Sequence, residues 1–275
     1  MVSDDRPIGI FDSGIGGLTV TARIRQALPA ERLLYFGDSA HVPYGPRGLE
    51  QVRAFSFAIT EALLARGAKA IVIACNTASA AALRALREAH PDIPFIGMEP
   101  AVKPAVEHTR TGVVGVIATV ATFQSELYAT IVERFAQGVE VLHQPCPSLV
   151  KQIEAGDFDT PITEAMLRGW LEPMLARNID ALVLGCTHYP IVRPLIERIV
   201  GPDVRVIDPT PAIARQLDRI LQRDGIGRDP SASGDLICYT SGDPVEFHRM
   251  MERLGLEGAP VYQATWDGSV RLDRP

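Results

Sequence analysis

The 275-residue sequence has few of the features that mark a chain for a membrane, for nucleic acid or for an oxidising compartment. No uninterrupted apolar run approaches the ~20 residues that span a bilayer. Met1 to Pro7 carries Asp4 and Asp5 and lacks the basic start and apolar stretch of a secretory leader. Lys and Arg number 27 against 33 Asp and Glu, a net charge of -6, which argues against a broad basic face for nucleic acid. Only four cysteines occur, Cys75, Cys146, Cys186 and Cys238. They are widely spaced and form no CxxC pair, so neither a disulfide framework nor a paired-cysteine zinc module is indicated. These absences lead us to expect a cytoplasmic protein with no membrane or nucleic-acid partner.

What is present is an alternation of short apolar runs and helical stretches. Apolar residues make up 47% of the chain, ample for a core. The runs are Ile8 to Phe11, Leu33 to Phe36, Ala70 to Ala74, Pro94 to Gly97, Val113 to Ile117, Val139 to Leu142, Ala181 to Leu184 and Val204 to Ile207. Helix-like stretches such as Leu49 to Arg66 and Ala78 to Ala89 lie between them. Strands read as continuous apolar runs when helices cover both faces of a parallel sheet, so the fold class is α/β.

The chain also repeats itself. Leu64 to Cys75 (LARGAKAIVIAC) lies over Leu175 to Cys186 (LARNIDALVLGC) at an offset of 111 residues, and Pro100-Ala101-Val102 meets Pro211-Ala212-Ile213 at the same offset. Each half begins with a strand ending in small polar residues, Ile10 to Ser13 and Val116 to Thr119. Two similar lobes related by an approximate two-fold axis are expected, one formed by residues 1–98 with 209–275 and the other by 99–208. The tail after Asp208 has a helix-like stretch from Pro211 to Gln222 and a strand from Leu236 to Thr240. It is too short for its own large core and is expected to pack on the first lobe. Trp170 and Trp266 stand in no usable pattern.

The repeat places Cys75 and Cys186 at the C-terminal ends of equivalent strands, where open α/β sheets bind their ligands. Asn76-Thr77 follows one and Thr187-His188 the other, and a helix is expected to start just beyond each. A helix N-terminus stabilises a thiolate. Two lobes facing each other would present one thiol from each side of a cleft, the arrangement that a two-base racemase needs. One base removes a proton from a tetrahedral carbon and an acid on the opposite face returns one, with no metal or organic cofactor required. Two other readings remain open at this point. Either cysteine alone can be a small buried hydrophobe, and Cys75, Cys186 and His188 together offer three zinc ligands, though without the usual close pairs. The segment from Asp12 to Gly17 (DSGIGG) is neither a dinucleotide fingerprint nor a P-loop, but it suits a small anion such as a substrate carboxylate. Val42-Pro43-Tyr44-Gly45 lies on the same rim.

Together these residues resemble the glutamate racemases of the aspartate/glutamate racemase superfamily. The resemblance is carried by Phe11 to Val20 (FDSGIGGLTV), Val42 to Gly45 (VPYG), Ala74 to Ala80 (ACNTASA) and Leu184 to Pro190 (LGCTHYP), with Gly115 to Thr122 and Ile153 to Gly156 fitting too. It covers nearly the whole chain. It implies interconversion of L- and D-glutamate without pyridoxal phosphate, with D-glutamate serving peptidoglycan synthesis. It implies that Cys75 acts on the D-enantiomer and Cys186 on the L-enantiomer, assisted by Asp12, Glu154 and His188. Asp12, Ser13, Tyr44, Gly45, Asn76, Thr77, Thr187 and His188 would hold the substrate. A homodimer is implied, and some relatives also inhibit DNA gyrase, so a protein-binding role is a second implication. Aspartate, or another small amino acid, is the alternative substrate. Ala118 stands where the family often has Gly, and Pro209 where a small polar residue is common; neither touches the cysteine motifs.

Overall fold

The computed structural model describes residues 3–272. The chain runs β1 (Ile8–Asp12), α1 (Leu18–Ala27), β2 (Leu33–Gly37), α2 (Leu49–Ala65), β3 (Ala70–Ile73), α3 (Asn76–Ala89) and β4 (Phe95–Gly97). It continues through α4 (Val102–His108), β5 (Val113–Ala118), α5 (Val120–Phe123), α6 (Glu126–Phe135), β6 (Glu140–Pro145), α7 (Leu149–Glu154), α8 (Pro161–Leu175) and β7 (Ala181–Gly185). A 3-10 turn, Tyr189–Val192, leads into α9 (Arg193–Val200) and then β8 (Arg205–Ile207). The tail adds α10 (Thr210–Asp224), β9 (Leu236–Thr240), α11 (Pro244–Arg253), β10 (Val261–Trp266) and β11 (Val270–Leu272). No described helix is long and apolar enough to cross a membrane.

Two sheets result, and they share a plan. The first has the order β11-β10-β9-β2-β1-β3-β4, the second β6-β5-β7-β8. The segment β2-β1-β3-β4 and the whole of β6-β5-β7-β8 therefore have the same strand order, and every pair within them is parallel. Each central strand is buried along its length and serves two layers of helix. In β1, Ile8 and Ile10 face a cluster with Leu18 and Ile24 of α1, whereas Phe11 faces Val52, Ile59 and Leu83 of α2 and α3. In β5, Val114 and Val116 pack with Val102, Tyr128 and Ile131, and Ile117 packs on the side of Leu167 and Leu171. Each such apolar side chain contributes about 2 kcal/mol by leaving water.

The tail joins the first sheet, as β9 pairs with β2 and β10 with β9, both parallel. It supplies three strands where the sequence suggests one. β10 and β11 are short and half-exposed, and β11 is the sheet edge, so their apolar signal is weak.

The repeat also shows in how each cysteine-bearing strand is entered. Lys69 and Asp180 occupy equivalent positions just before β3 and β7, and both side chains are buried. Lys69 pairs with Glu31 at 2.7 Å and donates to the Asp4 carbonyl, ahead of β1. Asp180 accepts from Thr109 Oγ1 at 2.6 Å and from the N–H groups of Arg110 and Thr111, ahead of β5. Burial would raise the Asp180 carboxyl, but these donors outweigh it and hold it below the usual range. A depressed folded value contributes stability above the unfolded pKa of 3.8 and loses it as pH falls through the folded value. Asp180→Ala should cost about 2 kcal/mol at neutral pH, and the deficit in a urea titration should shrink at acid pH.

Candidate active site

The C-terminal ends of β1, β3, β5 and β7 meet at one small cavity. Its lining includes Ser13, Tyr44, Gly45, Cys75, Asn76, Thr77, Cys186, Thr187 and His188, together with Pro43, Thr119, Val150 and Gly185. Both predicted cysteines thus reach the same space, one from each sheet. Asp12 and Glu154 stand behind the lining and act on it through their partners. Cys146 and Cys238 do not line it. Cys238 lies inside β9, where burial pushes its thiol up to about 12.

The surroundings of the two thiols differ. Cys75 caps α3, and the Ala78 N–H points at its sulfur at 3.5 Å. The sequence predicts a thiolate favoured by this helix terminus; the structure reverses that expectation. Burial pushes the Cys75 thiol well above its ordinary value, the Asp12 carboxylate adds to the rise, and the helix N–H groups do not offset them. Cys186 is not followed at once by an α-helix. Thr187 and His188 intervene before the 3-10 turn, and Nδ1 of His188 lies 3.8 Å from the Cys186 sulfur.

His188 is itself held by Glu154, whose Oε1 lies 2.6 Å from Nε2. Burial works against charge on this imidazole, but its hydrogen bonds to Cys186 and Glu154 prevail and raise its pKa well above 6.5. The same Glu154 oxygen accepts from the Ile15 N–H at 2.8 Å. The Ile15 N–H of the glycine loop thus already holds an anion, the protein's own Glu154 carboxylate. A Cβ at Gly14 would run into Glu154, and one at Gly16 into the His188 ring, so both positions require glycine for space.

Asp12 is fully buried and accepts from the Gly14 N–H at 3.1 Å and from Thr187 Oγ1 at 3.1 Å. Burial raises its carboxyl pKa despite the charge of His188 and these donors. Tyr44 lines the cavity with its ring, while its hydroxyl donates to Asp38 at 2.6 Å. Asp38, which the sequence does not single out, is fully buried and also takes His41 and the Ser241 hydroxyl. Thr119, like Val150, is a lining residue that sequence reasoning missed. Its hydroxyl lies 3.0 Å from that of Thr77, across the two sheets. The equivalence of Val116 to Thr119 with Ile10 to Ser13 is the signal that pointed there.

Asn76 differs from every other lining residue. It is 3% exposed, and neither its amide oxygen nor its amide nitrogen has a partner. An unpaired buried amide costs free energy in the protein as it stands. Among the described residues, no three His, Cys, Asp or Glu side chains are grouped to hold a metal ion.

Two outcomes follow from these environments. Asn76→Ala should raise stability by about 1 kcal/mol, read as a higher melting temperature. The raised His188 pKa contributes stability that is fully present below pH 6.5 and lost as pH rises through the folded value. The melting deficit of His188→Asn should therefore be largest below pH 6.5 and shrink above it.

Comparison with known proteins places this geometry. The model of the Asp/Glu/Hydantoin racemase family matches residues 8–217. The glutamate racemase of Roseiflexus sp. (strain RS-1) is 50% identical over 260 residues, covering 94% of this chain and 96% of the relative. The crystal structure of glutamate racemase isoform RacE1 from Bacillus anthracis superposes with a TM-score of 0.86 at 38% identity, covering 94% of this chain and 97% of that one. Glutamate racemase from Francisella tularensis, solved in complex with D-glutamate, gives 0.82 at 34% identity, covering 95% and 98%. With a family match across most of its length, two lobes of the racemase fold and a cysteine from each lobe at one cavity, the chain belongs to the Asp/Glu/Hydantoin racemase family.

Proposed function

We propose that this chain interconverts L- and D-glutamate by two-base proton transfer between Cys75 and Cys186, without an organic cofactor. The observation that carries the reading is the small cavity lined by a thiol from each sheet and by an unpaired amide, Asn76. An amino acid supplies what that amide lacks. Its carboxylate accepts from Nδ2 and its ammonium donates to Oδ1. The hydroxyls of Ser13, Thr77, Thr119 and Thr187 are at hand for the remaining carboxylate, and the glutamate named for the Francisella tularensis relative has two.

In the L-to-D direction the Cys186 thiolate takes the α-proton. The electron pair left on carbon is stabilised by donors to the adjoining carboxylate. The Cys75 thiol then delivers its proton to the opposite face. The protein is left with a Cys186 thiol and a Cys75 thiolate, which is the starting state for D-glutamate. Burial beside Asp12 favours the proton on Cys75 in the free protein, and so suits it to act first as the acid. His188, backed by Glu154, assists Cys186 from 3.8 Å, and Asp12 assists Cys75. The product D-glutamate would serve peptidoglycan synthesis, and we place the reaction in the cytoplasm, carried out by a homodimer.

Proton NMR of L-glutamate in deuterium oxide, followed by chiral analysis, tests the reading. The α-proton signal should disappear as D-glutamate accumulates. Cys75→Ser and Cys186→Ser should each lower kcat by about 10³-fold while glutamate still binds. Full activity in either variant would sink the two-base route, and equal exchange on aspartate would sink the choice of substrate.

A further inference from the structure

The cavity between the thiols holds about 10 Å³, close to the least space that admits one water. An amino acid does not fit in it, so the lobes must separate for any substrate to enter. The chain crosses between the sheets twice, after β4 and after β8. Both are edge strands, so the crossings lie along one side of the cleft. On the far side the lobes are joined without a covalent connection.

There α11, packed on β9 and β10, reaches the loop between α7 and α8. Arg253 donates from Nη2 to the Gly156 carbonyl at 2.9 Å, and its guanidinium lies 4.3 Å from the centre of the Phe158 ring. Gly156 has φ +84, and a Cβ there would run into the Arg253 guanidinium, so glycine is needed for conformation and for space. This loop begins directly after Glu154, the residue that holds His188 and the Ile15 N–H.

We infer that Arg253, Gly156 and Phe158 form a clasp that keeps the cleft shut on the side opposite the chain crossings. Arg253 is thus a positioning residue: it touches no reacting atom, and it sets how often the cavity opens and where Glu154 stands when it closes. The kinetic part of the test below rests on the proposed racemisation; thiol access does not.

The test compares the parent protein with Arg253→Ala, Arg253→Lys and Phe158→Leu. Each is treated with iodoacetamide without substrate, and modification is followed at each cysteine by mass spectrometry. Cys75 and Cys186 should be modified about five-fold faster in Arg253→Ala and in Phe158→Leu, because a cation over a ring and a charged hydrogen bond both favour the shut form. Arg253→Lys, which keeps the charge but not the planar stack, should fall between. KM should rise by the same factor for both enantiomers. Cys238, inside β9, should stay unmodified. Equal rates in the parent and both disrupting variants would overturn the clasp, as would a matching rise at Cys238, which reports loss of fold. The expected labelling pattern without racemisation in any of the four proteins would support the clasp and refute the reaction.

Discussion

One oxygen of Glu154 joins the two halves of the site. It accepts from the Ile15 N–H after β1 and from His188 after β7, so the ends of both sheets depend on a single acceptor. Much of the local sequence answers to this. Positions 14 and 16 must be glycine because the Glu154 and His188 side chains occupy the space a Cβ would need. His188 keeps its proton against burial because an acceptor faces each ring nitrogen. A buried charge is tolerated when its partners are close and hydrogen-bonded, and removal of one partner strands the other. Glu154 therefore does more than pair with His188. It fixes the ring that stands beside Cys186, and it ties that ring to the loop that begins at Asp12.

The two halves share a strand order, yet the chemistry at equivalent points has diverged. Lys69 and Asp180 are buried at matching positions and perform the same mechanical task, pinning the start of a cysteine-bearing strand to the segment before the preceding central strand. One does so as a cation and the other as an anion, so each needed its own partners nearby. The cysteines show the same split. Cys75 leads directly into a helix and has Asp12 as its charged neighbour, whereas Cys186 leads into a tight turn and has His188. Under the proposed reaction, two similar folds thus offer a substrate carbon two unlike thiols. Mirror-image substrates presented to such a site need not meet equal barriers, even though neither enantiomer is favoured at equilibrium.

How much of this could be read in the sequence depended on burial. β1, β3 and β7 are covered on both faces, so they appear as unbroken apolar runs, and the cysteines that follow them could be placed at strand ends. β10 and the edge strand β11 are half-exposed and were not visible. The residues that line the cavity were largely legible because they sit next to the cysteines or in the glycine loop. Thr119 was not predicted as a site residue, since its importance comes from facing Thr77 across the cleft, which no local pattern records. The sign of the Cys75 shift was misjudged for a related reason. A helix terminus is a local feature of sequence, whereas the burial that outweighs it is a product of the whole fold. Asp38 is a further case, since Ser241 joins its nearer partners Tyr44 and His41 only when β9 enters the sheet.

The closed cavity gives these costs a common cause. A carbon acid as weak as an α-amino acid yields its proton only if the developing charge meets fixed donors in a site with little water. Such a site must leave some polar groups unpaired until the substrate arrives, and the Asn76 amide is in that condition. It must also be shut, or water would satisfy the amide and weaken every interaction around the thiols. Shutting it around so small a volume excludes the substrate as well. A stable shut form and a usable entrance therefore conflict, and the conflict is eased if the closing contacts lie at the surface, where each is weak. Arg253 against Gly156 and Phe158 has that character, whereas the contacts of Glu154 and Asp12 are inside and strong. Opening can then begin at the rim, and the inner contacts that cross between the lobes, Glu154 with the Ile15 N–H and Asp12 with Thr187, part only as the cleft widens, while Glu154 keeps His188 within its own lobe.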